Sequence, residues 1–360
     1  MVLWVDKYRP NTLEKLDFHP NTTQLLKKLL ASGDFPHLMM YGPSGAGKST
    51  RISALLRALY GPGVEKVKAT HKSFKIKTRT IEITTMSSNY HIEMNPSDVG
   101  SQDRYVIQEV ISEIAGTQNV GLAAAKPEAD GGGKPSFKVV VLKEADRLSK
   151  AAQHALRRTM EKYMSSCRIV LCCESACGII GAVRSRTLPI RIGAPTNQEV
   201  VQSLHQIANK EGLTLPDALA VKISLKCNRN IRRAILMLEA SKVQQYPFTA
   251  DQAVRMQDWE MFIDQLGRVI CEEQTPARLQ LARNKMYELL ANCIPPTVIL
   301  KTLTSVLLRR LDDQIKHQVV RWSAFYEHRM QTGSKHIFHL EAFVAKFMSI
   351  YKRWVVETFG

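Results

Sequence analysis

The sequence predicts an α/β domain built on a parallel sheet, followed by two domains made only of helices. Three observations carry that prediction. Short apolar runs alternate with helical periodicity up to Ile192. A glycine-rich loop joins the first of those runs to the helix after it. Beyond Gly193-Ala194-Pro195 only helical periodicity remains. The expected domains are 1–195, 196–247 and 248–360, in keeping with a prior of about 150 residues per domain.

Each element follows from its pattern. His37–Tyr41 is a short apolar strand ending at a glycine, and Ser49–Leu59 carries Ile52, Leu55, Leu56 and Leu59 at helical spacing. Thr80–Thr84 reads as a strand from its β-branched residues, and Arg104–Ile114 as a helix with one apolar face. Phe137–Leu142 and Arg168–Cys173 are continuous apolar runs, the mark of central strands covered on both faces. Ala151–Tyr163 is a helix and Leu188–Ile192 a shorter strand. Gly121–Pro135 has no periodicity and reads as a surface insertion. The first helical domain comprises Asn197–Glu211, Pro216–Cys227 and Ile231–Gln245, with Pro247 as the break. In the last domain the aromatic and Met residues from Phe338 to Tyr351 are spaced as a buried helix face.

Composition narrows the function classes. With 44% hydrophobic and 23% charged residues, the chain is of ordinary globular composition and not disordered. No run of about 18 apolar residues exists, so no membrane span or membrane partner is expected. The N-terminus MVLWVDKYRP is too charged for a secretory segment, which predicts an intracellular protein. The seven cysteines show no CxxC pair and are expected to be buried thiols. Lys+Arg 50 against Asp+Glu 33 gives a net charge of +17, which suggests a polyanionic partner such as nucleic acid.

Gly42-Pro43-Ser44-Gly45-Ala46-Gly47-Lys48-Ser49 matches GxxxxGK[ST] between a strand and a helix. Such a loop turns backbone N–H groups onto phosphate oxygens, and the helix N-terminus adds its dipole. Lys48 is placed for the β-phosphate of ADP or the β- and γ-phosphates of ATP, and Ser49 for a magnesium ion. The strand Val139–Leu142 is expected to deliver the acidic partners of that ion. Lys143 falls where the magnesium-holding Asp belongs, and Glu144 where a water-activating Glu belongs. A protonated lysine does not ligate magnesium and repels it, so magnesium is disfavoured in this chain's own site. Asp146 lies too far along to take the place of Lys143. It is expected to cap the next helix or to meet Arg147 or another neighbour.

Several longer motifs carry a resemblance. Trp4-Val5-Asp6-Lys7-Tyr8-Arg9-Pro10 resembles the opening signature of clamp-loader ATPases of the AAA+ superfamily. Ala152–Glu161, AQHALRRTME, resembles their central helix. Arg184-Ser185-Arg186 resembles their SRC box, with Thr187 in place of the cysteine. Asn89–Ile107 and His339–Lys352 are similar to segments of the small subunits of replication factor C. The resemblance covers essentially the whole chain. It implies an AAA+ P-loop domain, a helical lid and an all-α collar. It also implies a nuclear heteropentamer that opens the sliding clamp, proliferating cell nuclear antigen (PCNA), in an ATP-driven cycle. The clamp is loaded onto primer–template DNA in replication and repair.

Residue by residue, the resemblance implies that Val5, Tyr8, Arg9 and Pro10 line the adenine pocket. Gly42 to Thr50 would hold the phosphates. Arg232 would be the sensor-2 arginine, and Arg186 an arginine finger acting in a neighbouring subunit. Glu174 stands where sensor 1 usually places an Asn, a second departure beside Lys143. The combined expectation is a site weak in hydrolysis in a subunit that completes catalysis next door. An autonomous ATPase or helicase, and a scaffold without nucleotide, are the rival readings.

Basic residues divide three ways. Lys66–Arg79 reads as a basic strand or hairpin, either touching a duplex or guarding a sheet edge. Arg104 and Lys150 begin predicted helices and are the DNA candidates, reading backbone charge and not base sequence. Arg157 and Arg158 are expected at a subunit interface or in ion pairs with Glu161.

Overall fold

The computed structural model describes residues 2–31, 34–76, 79–116 and 137–359. The insertion expected at Gly121–Pro135 lies outside them. The described residues form two compact units, Met1–Val254 and Arg255–Gly360.

The first unit holds a sheet of seven strands: β1 (Leu38–Tyr41), β2 (Lys68–Ile76), β3 (Arg79–Ser87), β4 (His91–Met94), β5 (Lys138–Leu142), β6 (Cys167–Cys173) and β7 (Leu188–Arg191). Their order is β2-β3-β4-β5-β6-β1-β7. The run from β4 to β7 is parallel, whereas β2, β3 and β4 pair antiparallel. The expected sheet is therefore parallel only in part. β2 ends at Ile76 and β3 starts at Arg79, a link far too short for the crossover that a parallel pair needs. Of the basic run, Lys68, Lys72 and Lys75 lie on the edge strand β2 and Arg79 opens β3, while Lys77 lies outside the described residues.

Helices cover both faces. They are α1 (Trp4–Lys7), α2 (Pro20–Ala31), α3 (Lys48–Tyr60), α4 (Asp103–Gly116), α5 (Lys150–Lys162) and α6 (Gly181–Arg184). Val140, Leu142, Ile169 and Leu171 pack on one face with Val106, Val110 and Leu156. Their neighbours Val139, Val141, Val170 and Cys172 pack on the other with Ile52, Leu55 and Leu56 of α3. This double burial is why β5 and β6 read as unbroken apolar runs.

The lid helices are α7 (Asn197–Lys210), α8 (Asp217–Lys226) and α9 (Ile231–Gln244). A reciprocal capping box fixes the start of α7: Glu199 N–H donates to Thr196 Oγ1, and Thr196 N–H donates to the Glu199 carboxylate. The lid core gathers Val200, Leu204, Ile223, Ala234 and Leu238, and it includes Trp4 of α1. Phe248 and Val254 are buried in this same core.

The second unit contains α10 (Asp258–Glu272), α11 (Pro276–Ala291), α12 (Pro296–Leu308), α13 (Asp313–Thr332) and α14 (His336–Phe359). Leu266, Ile270, Leu303, Leu307, Phe343 and Phe347 fill its core. Phe338, expected on the buried face, is exposed. Among the described residues no helix is long and apolar enough to cross a membrane. Cys167, Cys172, Cys173 and Cys227 are buried, but Cys177 and Cys293 are exposed, contrary to the expectation for all seven.

Candidate nucleotide-binding site

The glycine-rich loop runs from β1 into α3 with Gly42, Gly45 and Gly47 at positive φ. Two of these glycines are required by contact as well as by angle. A Cβ on Gly42 would lie 1.8 Å from Ile192 O, and one on Gly45 would lie 1.8 Å from Asn230 Oδ1. Asn230 caps α9 by accepting from Arg233 N–H. The loop and the first turn of the lid helix are thus in direct contact.

Lys48 Nζ donates to Gly42 O at 2.6 Å and to Pro43 O at 2.9 Å, which seats the ammonium over the loop. Arg9 Nε donates to Thr50 Oγ1 at 3.2 Å and ties the N-terminal segment to α3. That segment is tied to the lid as well. Trp4 N–H donates to Glu239, and Tyr8 Oη and Lys7 Nζ both donate to Glu211. The Lys7 and Tyr8 bonds hold the Glu211 carboxyl below its ordinary pKa.

A cavity of about 160 Å³ opens among these three parts. Val5, Tyr8, Arg9 and Pro10 line it from the N-terminal segment, Gly45, Ala46, Gly47 and Thr50 from the loop, and Ile231 and Arg232 from α9. The predicted base-side residues, the loop and Arg232 therefore do come together. Gly42, Pro43, Ser44, Lys48 and Ser49 continue the loop beyond the cavity lining. Arg51 was not anticipated. It is buried, and burial lowers its pKa. It donates to Thr23 Oγ1 at 3.1 Å and to Phe18 O, which fastens α3 beneath the cavity.

The end of β5 departs from a metal-holding edge. Lys143 Nζ lies 2.7 Å from Glu93 Oε2 of β4. Glu144 takes a left-handed conformation and pairs with Arg147 at 2.9 Å. Asp146 accepts from Glu174 N–H at 3.2 Å, so it braces the β6 exit. Among the described residues, no group of three or more His, Cys, Asp or Glu side chains is placed to hold a metal. The donor set at this edge does not fit magnesium.

Arg186 and the DNA candidates lie elsewhere on the first unit. Arg186 contacts Glu161 through Nε at 2.7 Å and through the terminal NH2 at 2.6 Å, and it donates to Ala182 O at 2.7 Å. Arg157 reaches the same carboxylate at 3.6 Å. The Arg186 hydrogen bond, followed by the charges of Arg186 and Arg157, lowers the Glu161 pKa. Arg158 lines a groove of about 510 Å³ between α4 and α5, together with Arg104, Gln108, His154 and Arg157. Lys150 is exposed at the start of α5. The two helix starts are locked side by side because buried Asp103 accepts from Ser149 N–H at 2.7 Å and from Ser149 Oγ at 2.8 Å.

Sequence reasoning missed Glu93, Asp103 and Glu211. Their partners are far away in the chain, and no local spacing signals them. Asn230 was anticipated neither as the cap of α9 nor as a neighbour of Gly45.

A strand–loop–helix phosphate cradle roofed by a helical lid defines a P-loop nucleotide-binding protein of the AAA+ class. The family descriptions matching this chain are "Rad17 P-loop domain" over residues 1–179, "RCF1/5-like, AAA+ ATPase lid domain" over 202–243, and "Replication factor C subunit 3, C-terminal domain" over 259–355. Replication factor C subunit 5 of Oryza sativa subsp. japonica is 53% identical over the full length of both chains. Replication factor C subunit 3 of Arabidopsis thaliana is 50% identical over the full length of both. The human replication factor C subunit 3 is 50% identical, covering 99% of this chain and 98% of its own. A solved RuvB variant of Thermotoga maritima shares the fold at TM-score 0.50 and 14% identity, over 74% of this chain and 80% of its own. The chain belongs to the small-subunit family of eukaryotic replication factor C, and its role is that of a small clamp-loader subunit.

Proposed function

We propose that this chain binds ATP or ADP on the loop Gly42–Thr50 and lends Arg186 to the site of a neighbouring subunit. Its own site is weak in hydrolysis. The clamp loader in which it works is a nuclear heteropentamer of replication factor C subunits. That assembly opens PCNA and places it on primer–template DNA in replication and repair. Val5, Tyr8, Arg9 and Pro10 hold the base, Lys48 and Arg232 meet the phosphates, and Arg104 and Lys150 follow the duplex backbone.

One observation carries this reading: the cation pattern of the two faces. At the chain's own site, the Lys143–Glu93 pair occupies the place of a metal-binding carboxylate. Glu144, the water-activating candidate, is turned into a pair with Arg147. On the other face, Arg186 is oriented by Glu161 and Ala182, and its side chain remains about a third exposed. An arginine finger donated in trans stabilises transition-state charge and is worth roughly 10³–10⁵ in rate.

The test uses the assembled complex with DNA-stimulated ATP hydrolysis as the readout. Lys48→Ala is expected to leave most of the hydrolysis in place, and Arg186→Ala to remove a large share of it. Equal losses from the two substitutions would sink the proposal.

A further inference from the structure

We infer that the nucleotide on this chain's loop is held without a divalent metal, the Lys143 ammonium supplying the positive charge at the end of β5. This rests on the reading that the loop binds nucleotide, and it names the form of the ligand.

Three carboxylates near that edge are already engaged. Glu93 holds Lys143, Glu144 holds Arg147, and Asp146 accepts from Glu174 N–H. Lys143 is fixed at both ends. Its backbone N–H donates to Met94 O at 2.9 Å, and its ammonium meets Glu93 at 2.7 Å. The pairing follows from the β4–β5 register, which aligns Glu93 with Val141 and Met94 with Leu142. The Glu93 side chain is only 18% exposed and lies 3.9 Å from the buried His91. Burial lowers the pKa of His91, which favours its neutral ring.

The two lysines also share one field. Burial raises the pKa of the Cys172 thiol, Lys48 and Lys143 pull it back, and Asp146 and Glu93 add smaller upward pushes. Cys172 sits on β6, between the strand that leads into the loop and the strand that ends at Lys143. A polyphosphate reaching that region meets two ammonium groups. A divalent cation there would meet like charge, and the Glu93 and Glu144 carboxylates are already held in ion pairs.

The experiment measures ADP binding to the full-length chain by calorimetry, once in EDTA and once in millimolar Mg²⁺. The dissociation constants are expected to agree within about threefold. A gain of about tenfold or more with Mg²⁺ would overturn the metal-free inference and leave nucleotide binding standing. No ADP binding in either condition would overturn both. Lys143→Asp is expected to invert the pattern, with ADP affinity falling about tenfold in EDTA and recovering with Mg²⁺. Mn²⁺ provides a readout independent of affinity. Its solution EPR signal should be lost to the Lys143→Asp chain with ADP, and not to the wild-type chain beyond what ADP alone sequesters. Capture of Mn²⁺ by the wild-type chain would also count against the inference.

Discussion

The loop edge at β5 and the Arg186 face use the same chemistry, a cation held by a glutamate, to opposite ends. At the loop edge the cation is Lys143, and its partner Glu93 is mostly buried on the adjacent strand. Lysine is a compact point charge, and here it stands where a metal ligand would be needed. On the other face the cation is Arg186, held by a half-exposed Glu161 at the end of α5. A guanidinium keeps further donors for a second anion while one carboxylate orients it. The two cations are similarly exposed, 41% for Lys143 and 33% for Arg186, and the pairs differ in their acids: Glu93 is mostly covered, whereas Glu161 is half-exposed.

The largest expected effect is on that asymmetry. Arg186→Ala should slow hydrolysis at the site it completes by about 10³-fold or more, measured by single-turnover kinetics of the complex. If Lys48→Ala has the same effect, the two faces are not functionally distinct.

A second change sharpens the loop side alone. Gly42→Ala forces a Cβ to within 1.8 Å of a backbone carbonyl, which cannot swing aside as a side chain would. It should cost about 1–3 kcal/mol in denaturant unfolding and weaken nucleotide binding. A variant as stable as the wild type would show that Ile192 does not approach the loop.

A third links the two regions. His37 leads into β1 and so into the loop, yet its ring contacts the end of α5 next to Glu161. Nδ1 accepts from Ile169 N–H at 3.0 Å and Nε2 faces Met160 O at 3.4 Å, an arrangement suited to the neutral ring. Burial holds its pKa below the ordinary 6.5, and His91 shifts the same way. The unfolded chain therefore takes up protons first as pH falls through about 6.5, and folding stability present above that pH is lost below it. Thermal midpoints should fall between about pH 8 and pH 5.5. His37→Gln should flatten that slope, and an unchanged slope would remove His37 from the coupling.

The smallest effect is expected at Glu161. Glu161→Gln should leave the thermal midpoint of the chain unmoved, because exposed ion pairs contribute little. A clear drop would mean that the Arg186 face is structural and not held ready for a partner.

Much of this was legible in the sequence where the signal is local. The loop, its flanking strand and helix, and the helical lid followed from spacing and periodicity. Lys143 was legible as an obstacle to metal because the apolar run before it fixes its position on β5. The β2–β3 pair was legible only as a basic strand or hairpin at Lys66–Arg79, and its antiparallel continuation into β4 was not. His91–Met94 is short, and its two inner residues are only half-buried, so neither alternation nor a full apolar run marks it. Arg186 was recognised through a motif, yet its partner Glu161 was expected to pair with Arg157 and Arg158, its neighbours on the same helix. Arg157 does reach Glu161, but Arg186 holds it more closely.

The sequence by itself determined which cations and glycines this protein has and the turn of chain on which each lies. Those properties depend on residue type and on neighbours within a few positions. Only the tertiary structure decided what each cation is paired with. Glu93 meets Lys143 through strand register, Asn230 meets Gly45 through the docking of the lid on the loop, and Asp103 meets Ser149 through the packing of two helices on one sheet face. Such pairings are set by where the buried surfaces close, and side chains distant in the chain become neighbours only when they do.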